Sequence, residues 1–278
     1  MLTNTCQAVQ QACADVDPPC PPNDLAAGAI DVTAGGTFTA NLVHAHDDDG
    51  PGTTLACGDA GGRDVFYQVA IPAAEVFYFD TFDSSFASVI RVYPAACVNL
   101  AGATPSCSEA ACATAQSQLA LHLAAGTSCV VVDQASSAEQ TGDLTLLVIP
   151  GGRDGSPLAP GAATATGDTC NSTNVDEPID QNCDGPGAGG KDDGYFFTTC
   201  PGASELLDAN TCTGTSWDSV LYVHRITGEQ LGCNDDGCGS NQSTFAKAPI
   251  SGAVLYWLIV DGFSANDCGA YTLTTNLR

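Results

Sequence analysis

Residues 65–80 read Val65-Phe-Tyr-Gln-Val-Ala-Ile71, then Pro72-Ala-Ala74, then Glu75-Val-Phe-Tyr-Phe-Asp80. Two short runs of β-branched and aromatic residues separated by a proline-led break form strands, because neither run is long enough for a stable helix. Working outward, the same signature recurs at Gly36–Val43, Ser88–Tyr93, Gln118–Leu123, Cys129–Asp133 and Leu144–Ile149. Each run is bounded by Gly, Pro, Asp or Ser clusters, as in sandwich strands joined by tight turns. Long amphipathic helical patterns are absent. Only Thr3–Val16, where Cys6 and Cys13 would share a face, suggests a helix.

A second series follows Pro150–Gly167, whose Gly, Pro, Ala and Thr content reads as a linker. Arg63-Asp-Val-Phe-Tyr67 corresponds to Lys191-Asp-Asp-Gly-Tyr-Phe-Phe197 with a small insertion, and Phe86–Val92 to Trp217–Val223. Cys107-Ser-Glu-Ala-Ala-Cys112 corresponds to Cys233-Asn-Asp-Asp-Gly-Cys238, and Val131-Val-Asp133 to Ile259-Val-Asp261. Four matches in one order imply an internal duplication, each copy sized for one sandwich. The expected organisation is a Cys/Pro-rich arm at 1–24, a β-sandwich at 25–150, a linker at 151–167 and a second β-sandwich at 168–278. The fold class is therefore all-β: two tandem jelly-roll-like sandwiches, rich in disulfides.

The chain carries 15 cysteines without CxxC pairs, which indicates a disulfide framework and an oxidising compartment. No charged-then-apolar leader follows Met1, so the chain reads as a mature one. Its longest apolar runs fall far short of the ~20 residues that cross a membrane as a helix. A formal net charge of -25 disfavours nucleic acid and anionic membranes, leaving cations as natural counterparts or a merely solvated acidic surface.

The second series also resembles a known family. Trp217–Val223, Cys233-Asn-Asp-Asp-Gly237, Leu258-Ile-Val-Asp-Gly262 and Cys268-Gly-Ala-Tyr-Thr-Leu273 are similar to bacterial pre-peptidase C-terminal domains. The resemblance implies jelly-roll-like sandwiches appended to secreted enzymes and surface proteins. The first series departs from the pattern, with Cys107-Ser-Glu-Ala-Ala111 in place of the acidic loop and Gln134 after Asp133.

Three acidic stretches invite a cation. Asp180-Gln-Asn182-Cys-Asp184-Gly185 has the alternating oxygens of a calcium loop. Lys191 stands where such a loop's closing glutamate would fall, so Asp176, Asp192 or Asp193 would complete the set. Asn234-Asp235-Asp236-Gly237 lies between two cysteines, and Asp47–Gly50 follows His44 and His46. Ca²⁺ is the expected ion at Asp176, Asp180, Asn182, Asp184 and Asp192, and at Asn234, Asp235 and Asp236; turn formation by Asx side chains is the competing reading. Phe263 is the loop aromatic that could meet a ligand.

No GxSxG, HExxH or Walker loop occurs, and no nucleophile, base and orienting group can be assembled from the pattern. The expectation is a non-enzyme. Eight cysteines precede the presumed linker and seven follow, so one is free or paired elsewhere. Bridges Cys212–Cys233 and Cys238–Cys268 are expected in the second copy. The arm could fold back on its own domain or reach a neighbouring copy. Three functions follow: an exported structural or adhesive protein, as a subunit of a bacterial cell-surface polymer with itself or the matrix as partner; an accessory polysaccharide- or protein-binding module of a secreted enzyme; or an unrecognised hydrolase.

Overall fold

A computed structural model describes residues 19–48, 62–100, 103–136, 142–179, 183, 189–239, 241–252 and 254–278. The chain divides into two compact units, Met1–Pro150 and Gly151–Arg278. The first holds β1 (Ile30–Asp31), β2 (Gly36–Asn41), β3 (Asp64–Ile71), β4 (Glu75–Asp80), β5 (Ser88–Tyr93), β6 (Ser106–Glu109), β7 (Gln118–Leu123), β8 (Gly126–Gln134) and β9 (Asp143–Pro150). The second holds β10 (Ser156–Pro157), β11 (Gly161–Asp168), β12 (Asp193–Thr198), β13 (Ser204–Asn210), β14 (Ser219–Arg225), β15 (Gln230–Asn234), β16 (Thr244–Ser251), β17 (Leu255–Gly262) and β18 (Ala270–Leu277). Among the described residues no α-helix occurs. The expected helix at Thr3–Val16 lies outside them.

Each unit is a sandwich of a five-stranded and a four-stranded sheet. In the first the orders are β1-β3-β8-β5-β6 and β2-β9-β4-β7; in the second, β10-β12-β17-β14-β15 and β11-β18-β13-β16. Adding nine to each strand number converts one unit into the other, so the duplication extends through the whole topology. Alternation places Val65, Tyr67, Ile90, Val92, Val130 and Val132 in the first core, and Tyr195, Phe197, Leu221, Val223, Leu258 and Val260 in the second. Val65 stands opposite Val132 and Asp193 opposite Val260, which makes Asp64 equivalent to Asp192 and Phe66 to Gly194. The copies match there without the insertion that the sequence comparison required.

A buried hydroxyl network marks the common origin. Thr81 Oγ1 lies 2.6 Å from Ser88 Oγ and accepts the Ser117 N–H at 3.0 Å. Thr211 Oγ1 lies 2.8 Å from Ser219 Oγ and accepts the Ser243 N–H at 3.1 Å. All six side chains are fully buried, so each hydroxyl needs its partners.

Two expectations are corrected, and an open one is narrowed. Residues 151–167 are not a linker: they belong to the second unit, with β10 parallel to β12, β11 antiparallel to β18 over eight residue pairs, and Leu158 in the core. The composition misled because β11, Gly161-Ala-Ala-Thr-Ala-Thr-Gly-Asp168, is an edge strand with one exposed face and needs only small residues on the other. The described end of the arm, residues 19–24, lies on its own unit. Asn23 is fully buried and exchanges hydrogen bonds with Phe66, its O accepting the Phe66 N–H at 2.8 Å and its Nδ2 donating to Phe66 O at 3.0 Å. Disulfides among the described residues of the second unit include Cys170–Cys268, Cys183–Cys233 and Cys212–Cys238, in place of the expected Cys212–Cys233 and Cys238–Cys268. Each joins Cα atoms 4.9–5.5 Å apart, a separation that strand geometry sets and sequence spacing does not reveal. All twelve cysteines among the described residues are disulfide-bonded.

Candidate cation and ligand sites

The hairpin of β14 and β15 sets Leu221 opposite Asn234, so the residue before β14 meets those after β15. Carboxylate oxygens of Asp218, Asp235 and Asp236 thereby come within 4.8 Å of one another. Burial, then the Asp236 and Asp267 carboxylates, push the Asp218 carboxyl above its ordinary range. A divalent cation would oppose that push by supplying the missing positive charge.

Of the expected ligands in this loop, Asp235 and Asp236 converge and Asn234 does not. Asn234 Oδ1 accepts the Thr244 N–H at 2.8 Å, which holds the hairpin to β16. Asp218 was not singled out in the sequence, because its neighbours Trp217 and Ser219 mark only the start of a strand. Phe263 is half-buried beside this cluster, its N–H donating to Asp218 O at 3.0 Å. In the first unit Ala87 and Ala110 occupy the positions of Asp218 and Asp236. Ala110 keeps the left-handed backbone of its counterpart, φ 47° against 42°. The turn therefore forms without the carboxylates.

Of the other expected calcium site, only Asp176 and Asp192 are among the described residues. Asp180, Asn182 and Asp184 lie outside the described residues. Asp176 and Asp192 turn to a guanidinium: Arg153 Nη1 is 2.6 Å from Asp176 Oδ2 and 2.5 Å from Asp192 Oδ1. Asp192 Oδ2 also accepts the Val175 and Asp176 N–H groups at 2.6 and 3.1 Å. These carboxylates have their cation already, supplied by the segment that composition alone reads as a linker.

Both units carry acids on the outer face of the five-stranded sheet, but compensate them differently. In the first, Asp64 stands opposite Asp133, and Arg91 Nη1 lies 2.6 Å from Asp133 Oδ2 with both side chains fully buried. In the second, Tyr222 replaces Arg91 and donates to Asp261 Oδ2 at 3.2 Å. Burial, then the Asp192 carboxylate, push Asp261 up to about 8. Farther along this face the first unit is sealed by the Cys97–Cys129 bridge packed with Phe66, Tyr93 and Val131. In the second unit Trp257 stands at the place of Cys129, His224 at that of Tyr93 and Gly194 at that of Phe66. Arg153 fills the space that Gly194 leaves, its Nε 2.7 Å from where a Cβ would be, and lies 5.5 Å from the Trp257 ring centre. Beside it opens a cleft of about 310 Å³.

Near the first unit's end, His46 Nδ1 lies 2.7 Å from Asp24 Oδ2, and Cys20 is close by. Cys20 is disulfide-bonded, so this trio offers no thiolate for a metal.

No protein-family model matches the chain, and no curated protein does. Among solved structures, a pre-peptidase C-terminal domain of collagenase from Bacillus anthracis is 13% identical, covering 45% of this chain and 96% of that one at a TM-score of 0.29. A structure of Sulfolobus Turreted Icosahedral Virus is 9% identical, covering 78% of this chain and 56% of that one at 0.24. The CUB1-EGF-CUB2 region of human MASP-1/3 is 8% identical, covering 87% and 99% at 0.23. The β-sandwich assignment rests on the strand pairings of the chain itself.

Proposed function

We propose that this chain is a non-catalytic, exported structural or adhesive protein whose partner is another copy of itself or a cell-surface matrix. The observation that carries this reading is the covalent clamping of a duplicated scaffold. Cys170–Cys268, Cys183–Cys233 and Cys212–Cys238 tie loops of the second unit, Cys97–Cys129 seals a sheet face of the first, and the other four described cysteines are disulfide-bonded too. Each such bridge contributes roughly 2–4 kcal/mol by restricting the unfolded chain, a ruggedness that suits an exposed extracellular assembly. Size-exclusion chromatography and electron microscopy of the protein as its own cells export it test the reading. Multimers or filaments are expected; a strict monomer that binds no surface material overturns it.

Calcium belongs to the same proposal, at Asp218, Asp235 and Asp236. An ion bound only by the native state raises the melting temperature, by about 2.7 kcal/mol of added stability at a hundred times its dissociation constant. The second unit's transition should rise by several degrees in millimolar Ca²⁺ relative to chelator, and Asp236→Asn should abolish the difference. An unchanged transition in the native protein removes calcium from the account.

The accessory-module reading is favoured by one feature, the open cleft of the second unit.

A further inference from the structure

The outer sheet face is closed in one copy and open in the other. Where the first unit places Phe66 and the Cys97–Cys129 bridge, the second presents a cleft of about 310 Å³ lined by Arg153, Val175, Asp176, Glu177, Ile179, His224 and Trp257 among others. The lining has three chemical parts. Its floor is Trp257, 1% exposed, whose indole N–H meets no acceptor in the protein. Its rim is apolar at Val175 and Ile179, 50% and 66% exposed. Its charge is acidic: Arg153 is committed to Asp176 and Asp192, while Glu177 faces solvent and, among the described residues, accepts from the Asn174 side chain and the Gly189 N–H. His224 Nε2 lies 3.9 Å from Asp176.

Each part excludes something. A sugar needs an open ring face to stack on, and Trp257 is covered, with Arg153 beside it. An anion would meet Asp176 and Glu177 with the one guanidinium already bonded. An apolar ligand would leave the indole N–H and the carboxylates unanswered. What remains is a chain with an apolar stem, a cationic end and a nearby hydrogen-bond acceptor. A basic side chain on a polypeptide has all three: methylenes, a charged head and the backbone carbonyl.

We propose that this cleft is a binding site for a lysine or arginine side chain of a partner polypeptide, its methylenes on Val175 and Ile179 and its cation at Glu177 and Asp176. The site is independent of whether the protein polymerises.

The test is a titration of the full chain with N-acetyl-lysine N-methylamide, followed through the two tryptophan indole N–H signals in ¹⁵N–¹H spectra. Trp217 is an internal control, because its indole N–H already donates to Ala270 O at 3.0 Å. A saturable shift of the Trp257 signal with Trp217 unmoved is expected. It should weaken at least fivefold in Glu177→Gln and at least as much in high salt, since an exposed charge contact is screened. Glu177 is exposed, so its variant keeps the Trp217 signal and the sheet spectrum of the parent. No saturable shift, equal binding of the uncharged norleucine analogue, or full affinity in Glu177→Gln overturns the site. Equal binding of cadaverine, which has no carbonyl, overturns the polypeptide as its ligand.

Discussion

Arg91→Met is expected to lower the stability of the first unit by about 3–5 kcal/mol, a fall of roughly 10–20 °C in its melting transition. The guanidinium is fully buried and lies 2.6 Å from the Asp133 carboxylate, which is itself fully buried with Asp64 opposite it across the ladder. Methionine fills much of the volume but leaves the buried Asp133 carboxylate without that guanidinium. Ionised carboxylates so placed must either remain uncompensated or take up protons. The loss should therefore be largest above neutral pH and shrink as the solution is acidified. Calorimetry at pH 5 and pH 8 checks both statements. A variant that melts within 2–3 °C of the parent at pH 8 would show that the pair is not the compensating contact.

The equivalent acid of the second unit should answer in the opposite direction. Asp261 has a tyrosine where the first unit has Arg91, and burial together with Asp192 pushes its carboxyl up to about 8. Between about pH 4, where the unfolded carboxyl titrates, and pH 8, the native state holds a proton that the unfolded chain has released. The second unit's stability therefore falls as pH rises through this window, by up to about 1.4 kcal/mol per pH unit from this group, and levels off above it. Asp261→Asn keeps an oxygen for the Gly262 N–H, which donates to Asp261 Oδ1 at 2.7 Å, and removes the titration. It should match the parent near pH 4.5 and exceed it by roughly 2–4 kcal/mol at pH 8.5. Chemical unfolding across that range decides the matter. Destabilisation at pH 8.5 would mean that the ionised form is held by something stronger than Tyr222.

The strands were legible because they are short runs of β-branched and aromatic residues bounded by Gly, Pro, Asp or Ser. Glu75–Asp80, Ser88–Tyr93 and Gln118–Leu123 carry the same bounds in sequence and structure. Duplication was legible because Asp133 and Asp261, and the cysteines of β6 and β15, end equivalent strands. What sequence hides is pairing between distant segments. Gly161–Asp168 has no intrinsic strand signature and becomes one through β18. Asp176 and Asp192 have calcium-loop chemistry on paper, yet Arg153 reaches them from 23 and 39 residues away. Asp218 joins the acidic loop only through the register of a hairpin, and the bridges follow loop proximity that no spacing rule encodes.

Arg153 also fixes where the gene can be cut. A recombinant second half begun at Gly151 carries its counter-ion, its edge strand β11 and Leu158. One begun at Asp168 would be synthesised with the buried Asp192 and the half-buried Asp176 uncompensated, β18 unpaired along one side and a hole in the core. The first fragment should give the higher yield of folded protein and the second should aggregate, although the two differ by fewer than twenty residues at one end.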